Sequence, residues 1–133
     1  MYKNIRHRFD ENRNNNKLEN IDQVYCVVMP QRRKYIQKTL ESLDVNIRFF
    51  DAIKPEDLSS TEYKILSETY NSWNENMYRK FTKLPVHLSY TMCFLNAMEN
   101  GYKNIIILED DITVKVNKRR LQESLLEFSK SDF

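Results

Sequence analysis

Three consecutive carboxylates, Glu109-Asp110-Asp111, follow directly on the apolar run Ile105-Ile106-Ile107-Leu108. Acids this close repel one another strongly unless a positive charge sits among them. Hard oxygen ligands of this kind suit a divalent cation, and through it a phosphate. The run before them has no polar interruption, which is the pattern of a strand covered on both faces in a parallel sheet flanked by helices. Open α/β sheets bind their ligands beyond the carboxyl ends of the strands, so the acids stand where such a site is expected. Taken alone, the triplet also reads as a solvated turn, because short motifs match often by chance.

The elements upstream give the triplet a setting. Residues 24–29 read as a first buried strand stopped by Pro30, and Ile36, Leu40 and Leu43 mark a helix over 31–43. A second strand over 46–50 ends at Asp51-Ala52. Strand, helix and strand of this length predict a right-handed βαβ unit. Ser59 or Ser60 can cap a helix from Thr61 onward. The polar, tyrosine-rich stretch 61–83 predicts a helix followed by a loop, in which Tyr70, Trp73 and Tyr78 pack an irregular segment. Beyond Pro85, residues 86–100 predict a helix with Tyr90, Phe94, Ala97 and Met98 on one face, closed by Asn100-Gly101. Tyr90 and Phe94 are expected in the core, and His87 at the surface or as a cap. A strand over 104–108 leads into the acids, and 118–129 form a last amphipathic helix through Leu121, Leu125 and Phe128.

Composition removes several function classes. A net charge of +2, from 21 basic and 19 acidic residues, is too balanced to argue for nucleic acid or an anionic membrane. No apolar run approaches the roughly 18 residues of a transmembrane helix, and residues 1–20 lack the apolar core of a signal peptide. The expectation is a soluble chain made in a cytoplasm. Residues 1–20, built around Asn12-Arg13-Asn14-Asn15-Asn16-Lys17, offer little that can be buried and are expected to be a disordered lead-in; 21–133 form one domain. Cys26 and Cys93 fall in a strand and a helix, where buried, reduced, inert thiols are expected. Neither His7 nor His87 has partners at zinc-site spacing. A single glycine excludes a glycine-rich phosphate loop. Any phosphate must then be held by metal and side chains, and Arg32 and Arg33, after the first strand, are the cations at hand. Abundant Asn, Lys and Ile with almost no glycine suggest an AT-rich genome, such as that of a large DNA virus (which would place the chain in a host cytoplasm) or a low-GC bacterium.

Four features in order carry a resemblance. They are a strand with an arginine-rich turn, Val27-Val28-Met29-Pro30-Gln31-Arg32-Arg33-Lys34-Tyr35; a strand ending in Asp-Ala, Phe49-Phe50-Asp51-Ala52-Ile53; Leu88-Ser89 followed by Gly101-Tyr102; and Ile107-Leu108-Glu109-Asp110-Asp111-Ile112. Over roughly 22–115 the chain resembles glycosyltransferase family 25, which includes bacterial lipooligosaccharide glycosyltransferases and the collagen galactosyltransferases. The resemblance implies a Rossmann-like nucleotide-diphospho-sugar transferase fold of the GT-A type. It also implies a nucleotide-sugar donor, UDP-sugar foremost, and a divalent cation, Mn²⁺ or Mg²⁺. The acceptor would be a glycan, a lipooligosaccharide or a protein-linked sugar. By the same analogy Glu109 and Asp111 flank the metal, Asp110 faces the ribose or orients the loop, and Arg32 and Arg33 contact nucleotide or diphosphate. No catalytic base is assigned.

The chain also departs from that pattern. Ser89-Tyr90 stands where the family has Ser-His, and a tyrosine cannot take a charge or act as a neutral-pH base as histidine does. Met29-Pro30 replaces an Asn-Leu pair. The chain stops at Phe133, where family domains run on, so a truncated donor-binding part is expected. The alternative is a degenerate domain acting as a non-catalytic binding or scaffolding module. Other Mg²⁺ enzymes with acidic pairs carry them after an early strand, whereas these acids follow the third. Three strands make a thin core, which a second copy of the chain or downstream sequence is expected to complete.

Overall fold

The computed structural model describes residues 6–13, 15–69 and 77–130. Its centre is β1 (Gln23–Val28), whose alternating side chains enter two different cores. Strands β2 (Ile47–Asp51) and β3 (Ile105–Glu109) flank it, both parallel, in the order β2-β1-β3. The expected small α/β architecture, a parallel sheet between helices in a Rossmann-like arrangement, is what forms.

Each face of the sheet selects its helices by apolar complementarity. On one side Tyr25, Val27, Phe50, Ile105 and Ile107 meet Leu88, Met92, Cys93 and Ala97 of α3 (Met77–Glu99). On the other, Cys26, Val28, Phe49 and Leu108 meet Ile36 and Leu40 of α1 (Arg33–Leu40) and Leu121 of α4 (Lys118–Ser129). Tyr25, Cys26, Ile36 and Phe50 are sealed from solvent, and full burial of a side chain of this size contributes about 2 kcal/mol. Cys26 and Cys93 are free and buried, and burial pushes both thiols up to about 12. They are the inert thiols the sequence predicts.

Local signals account for the remaining boundaries. Pro30 opens a 3-10 turn, Pro30–Arg32, ahead of α1, and a second turn, Glu41–Leu43, follows it. The left-handed Asp44 ends that stretch. Before α2 (Ser60–Thr69), Ser59 Oγ accepts the Glu62 N–H at 3.1 Å while the Ser59 N–H donates to Glu62 Oε1 at 3.1 Å. That reciprocal pair is a capping box.

Two expectations are corrected. The first is that 61–83 ends in a loop and that the next helix begins after Pro85; α3 instead starts at Met77 and passes through Pro85. Leu84 and Pro85 are fully buried, so packing outweighs the donor that proline lacks. The second is the buried face of α3. Leu84, Leu88, Met92, Cys93 and Ala97 turn inward, whereas Phe94 is 52% and Met98 74% exposed. Apolar residues lie on more than one side of this helix, so periodicity alone does not say which side meets the sheet. Of the described residues before β1 most are exposed, but several touch the sheet. Phe9 forms an antiparallel bridge with Phe50 and stacks on its ring at 4.6 Å, the Asp10 N–H donates to the Phe49 carbonyl at 3.0 Å, and Leu18 is only 3% exposed. Phe9, Asp10 and Asn16 thus lie along the outer edge of β2 and satisfy backbone groups there that would otherwise be open. Tyr70 and Trp73, and the side chain of Tyr78, lie outside the described residues.

Asp22 fixes the start of β3. Its Oδ2 accepts the N–H groups of Lys103 at 2.7 Å and Asn104 at 3.0 Å, and these, led by Asn104, hold its carboxyl below the usual range. A depressed folded-state value gives stability that is present above the ordinary aspartate value near 4 and is lost as pH falls through the folded value. Asp22→Asn is therefore expected to melt below the wild type at pH 7, with the gap closing below about pH 4. Melting curves at the two pH values check this; a gap equally wide at pH 3 contradicts it.

Candidate functional site

From β1 the chain crosses one face of the sheet through α1 to β2. It then returns over the opposite face through α3 to β3, on the far side of β1. The strand order therefore reverses at β1, with β2 on one side and β3 on the other, and open α/β sheets form a ligand crevice beyond the carboxyl ends of the strands at such a reversal. The register brings Val28 beside Asp51 and Val27 beside Glu109. The acid at the end of β2 and the acid at the end of β3 therefore flank the exit of β1 within one residue of the same level.

The three acids after β3 have three different environments. Asp110 turns back toward β1: its Oδ2 accepts the Met29 N–H at 2.9 Å. The Arg32 guanidinium donates to the Asp110 backbone carbonyl at 2.9 Å and lies 3.7 Å from Oδ1, while also resting over the Tyr35 ring. The exits of β1 and β3 are tied together through this one residue. Glu109 accepts a hydrogen bond from the Tyr90 hydroxyl on α3. Burial first, and then Glu109, push the Tyr90 phenol above its ordinary value, so it stays a donor at neutral pH. Asp111 is exposed, and among the described residues it accepts no hydrogen bond and enters no ion pair.

The two arginines named as candidate contacts for nucleotide or diphosphate have different partners. Arg32 reaches the acidic turn. Arg33 instead pairs with Asp10 and lies 3.6 Å from Asp51, with its guanidinium 5.0 Å from the Phe49 ring centroid. It serves the end of β2 and not the acids after β3. The loop beyond β2 is pinned from several sides. The Ala52 N–H donates to the Val28 carbonyl at 2.9 Å, Arg8 donates to the carbonyls of Asp51 and Ala52, and the Ile53 N–H donates to Ser89 Oγ at 3.0 Å. Ser89, fully buried, in turn donates a hydrogen bond from its hydroxyl to the Pro85 carbonyl at 2.9 Å. Ser89→Ala strands the Ile53 N–H in the interior, and such a group costs about 1–3 kcal/mol. Urea denaturation should show a lower midpoint at unchanged slope; an unshifted midpoint contradicts the tether.

Sequence reasoning gave Asp10 no role and read Arg8 as part of a solvated tail, since both are isolated charges in a polar segment. It named Ser89 and Asp51 only as motif letters and assigned Tyr90 to the core. The one available cue for Tyr90 was its place beside Ser89, where the resembling family carries a polar histidine.

The family model described as Glycosyltransferase family 25 (LPS biosynthesis protein) matches residues 28–133. The chain belongs to glycosyltransferase family 25. Comparison with curated proteins and with solved structures gave no match. Within the family span fall Arg32, Arg33, Asp51, Ser89, Tyr90 and the acidic turn, while Arg8 and Asp10 precede it. Membership points to glycosyltransferase activity, with a nucleotide sugar and an acceptor as substrates. No helix among the described residues is long and apolar enough to cross a membrane.

A divalent cation is expected from the resemblance, and the donor set decides whether these residues fit one. Among the described residues no three His, Cys, Asp or Glu side chains gather as a metal cluster. Asp110 is committed to Met29 and Arg32. Glu109 and Asp111 remain, two carboxylates that leave most coordination positions open. Such a set fits Mg²⁺ or Mn²⁺ shared with phosphate oxygens and water, which are commonly bound through one or two carboxylates plus substrate.

Proposed function

We propose that this family 25 chain binds the diphosphate of a nucleotide-sugar donor, UDP-sugar foremost, across the carboxyl ends of β1 and β3. A divalent cation is held there by Glu109 and Asp111, in a glycosyltransferase fold of the GT-A type. The sugar passes to a glycan, a lipooligosaccharide or a protein-linked acceptor. The observation that carries this reading is the seating of an acidic turn at the topological switch point, with Arg32 beside it and the Asp111 carboxylate unengaged by the described residues.

Charge sets the roles. When bound, the cation neutralises the negative charge that develops on the departing nucleoside diphosphate. Glu109 and Asp111 supply the carboxylates that hold it. Asp110, bonded to the Met29 N–H, orients the turn, which supports the second of the two roles expected for it. Arg32, about half exposed, presents N–H groups suited to a phosphate at the mouth of the crevice. Arg33 stiffens the end of β2 through Asp10 and Asp51.

The test is a panel of UDP- and GDP-sugars incubated with the protein and Mn²⁺, with free nucleoside diphosphate measured. Release from one nucleotide class, abolished by chelation of the metal, is expected. A protein that binds nucleotide yet releases none from any donor, with or without added glycan acceptors, contradicts transfer and leaves the binding-module reading.

A further inference from the structure

Glu109 ends a strand, yet its side chain is exposed and has three rotatable bonds. Fixing such a side chain costs up to about 2 kcal/mol of rotamer freedom, which weakens any cation site built on it. The structure holds it already. The Tyr90 hydroxyl, carried by α3, donates to Glu109 Oε1, and Oε2 accepts nothing from the described residues. Tyr90 is itself set firmly: its neighbours Ser89 and Cys93 on α3 are fully buried against the sheet side of the helix. Tyr90 itself is half-buried, but the stretch of helix that carries it is fixed by core packing.

We propose that Tyr90 is a positioning residue for the cation site, its hydroxyl fixing one carboxylate oxygen of Glu109 and leaving the other to ligate. This inference rests on the metal reading above. Hydrogen-bonding partners that orient a metal's ligands typically change affinity by about 10–100-fold when removed. The same bond links the α3 layer to the acidic turn, so the ligand's orientation follows the helix that also tethers the loop after β2 through Ser89.

The experiment measures Mn²⁺ uptake from the loss of the free-ion electron paramagnetic resonance signal, with UDP or GDP present at saturation. Tyr90→Phe should bind Mn²⁺ about tenfold or more weakly than the wild type, with metal-free melting nearly unchanged. In a Glu109→Ala background the same substitution should make no further difference, because the interaction it removes is already gone. Should Tyr90→Phe not fold, Tyr90→Leu, which also lacks the hydroxyl, must show the loss. Affinity equal to or above that of the wild type, or an equal loss in the Glu109→Ala background, overturns the positioning role alone. A folded wild type that takes up no Mn²⁺ with either nucleotide overturns the metal reading as well.

Discussion

Asp111→Ala is expected to weaken Mn²⁺-dependent nucleotide binding by about a hundredfold, equivalent to roughly 2.7 kcal/mol, while the melting temperature stays within about 2 °C of the wild type. The separation of the two effects follows from the surroundings of Asp111. Its side chain is exposed, and among the described residues no donor or cation engages it, so its removal breaks nothing in the folded chain. Of the three acids it is the one whose carboxylate has no structural partner among those residues. Asp111→Asn, which keeps the shape and removes the charge, should lose as much affinity as alanine. Asp110→Ala provides the contrast: it releases the Met29 N–H and the Arg32 guanidinium, so it should lower both affinity and stability. Titration calorimetry with UDP and GDP, paired with thermal melts, separates the cases. An Asp111→Ala protein that binds nucleotide and Mn²⁺ like the wild type would remove Asp111 from the site.

Phe50→Ala should be the most destabilising single truncation, at about 3–5 kcal/mol. Phe50 is sealed from solvent, packs in the core with Tyr25, Leu88 and Met92, and carries the Phe9 ring on it at 4.6 Å. Its backbone lies opposite Val27 of the central strand, so the cavity would open between the sheet and α3 with little room to collapse. Domains of this class are stable by only about 5–15 kcal/mol. A fall in melting temperature of roughly 15 °C is therefore expected, read by circular dichroism. Phe9→Ala should cost less, because Phe9 is only partly buried, and it reports directly whether the N-terminal segment docks on β2. A Phe50→Ala protein that melts within about 3 °C of the wild type would contradict the packing described.

How far the sequence could be read depended on how local the deciding physics was. The apolar runs of β1 and β3, the proline that stops β1 and the serine cap before α2 are all encoded within a few residues, and each formed near its expected place. The seat of Glu109-Asp110-Asp111 was legible for the same reason, since a buried strand followed by acids fixes where the acids emerge. Contacts between distant residues were not legible. The Tyr90 bond to Glu109 spans 19 positions and the Arg33 pair with Asp10 spans 23, and nothing in periodicity announces either. The passage of α3 through Pro85 and the exposure of Phe94 were settled by which side of the helix the sheet required. Phe9 and Leu18 were hidden because each is an isolated apolar residue in a polar stretch.

The central claim is a nucleotide site completed by a divalent cation at the ends of β1 and β3. Its most direct test is calorimetric titration of UDP, and then GDP, into the wild-type chain with and without Mn²⁺. The account predicts that one nucleotide binds and that its binding requires the metal. Failure of a folded protein to bind either, or binding that is indifferent to Mn²⁺, would contradict it.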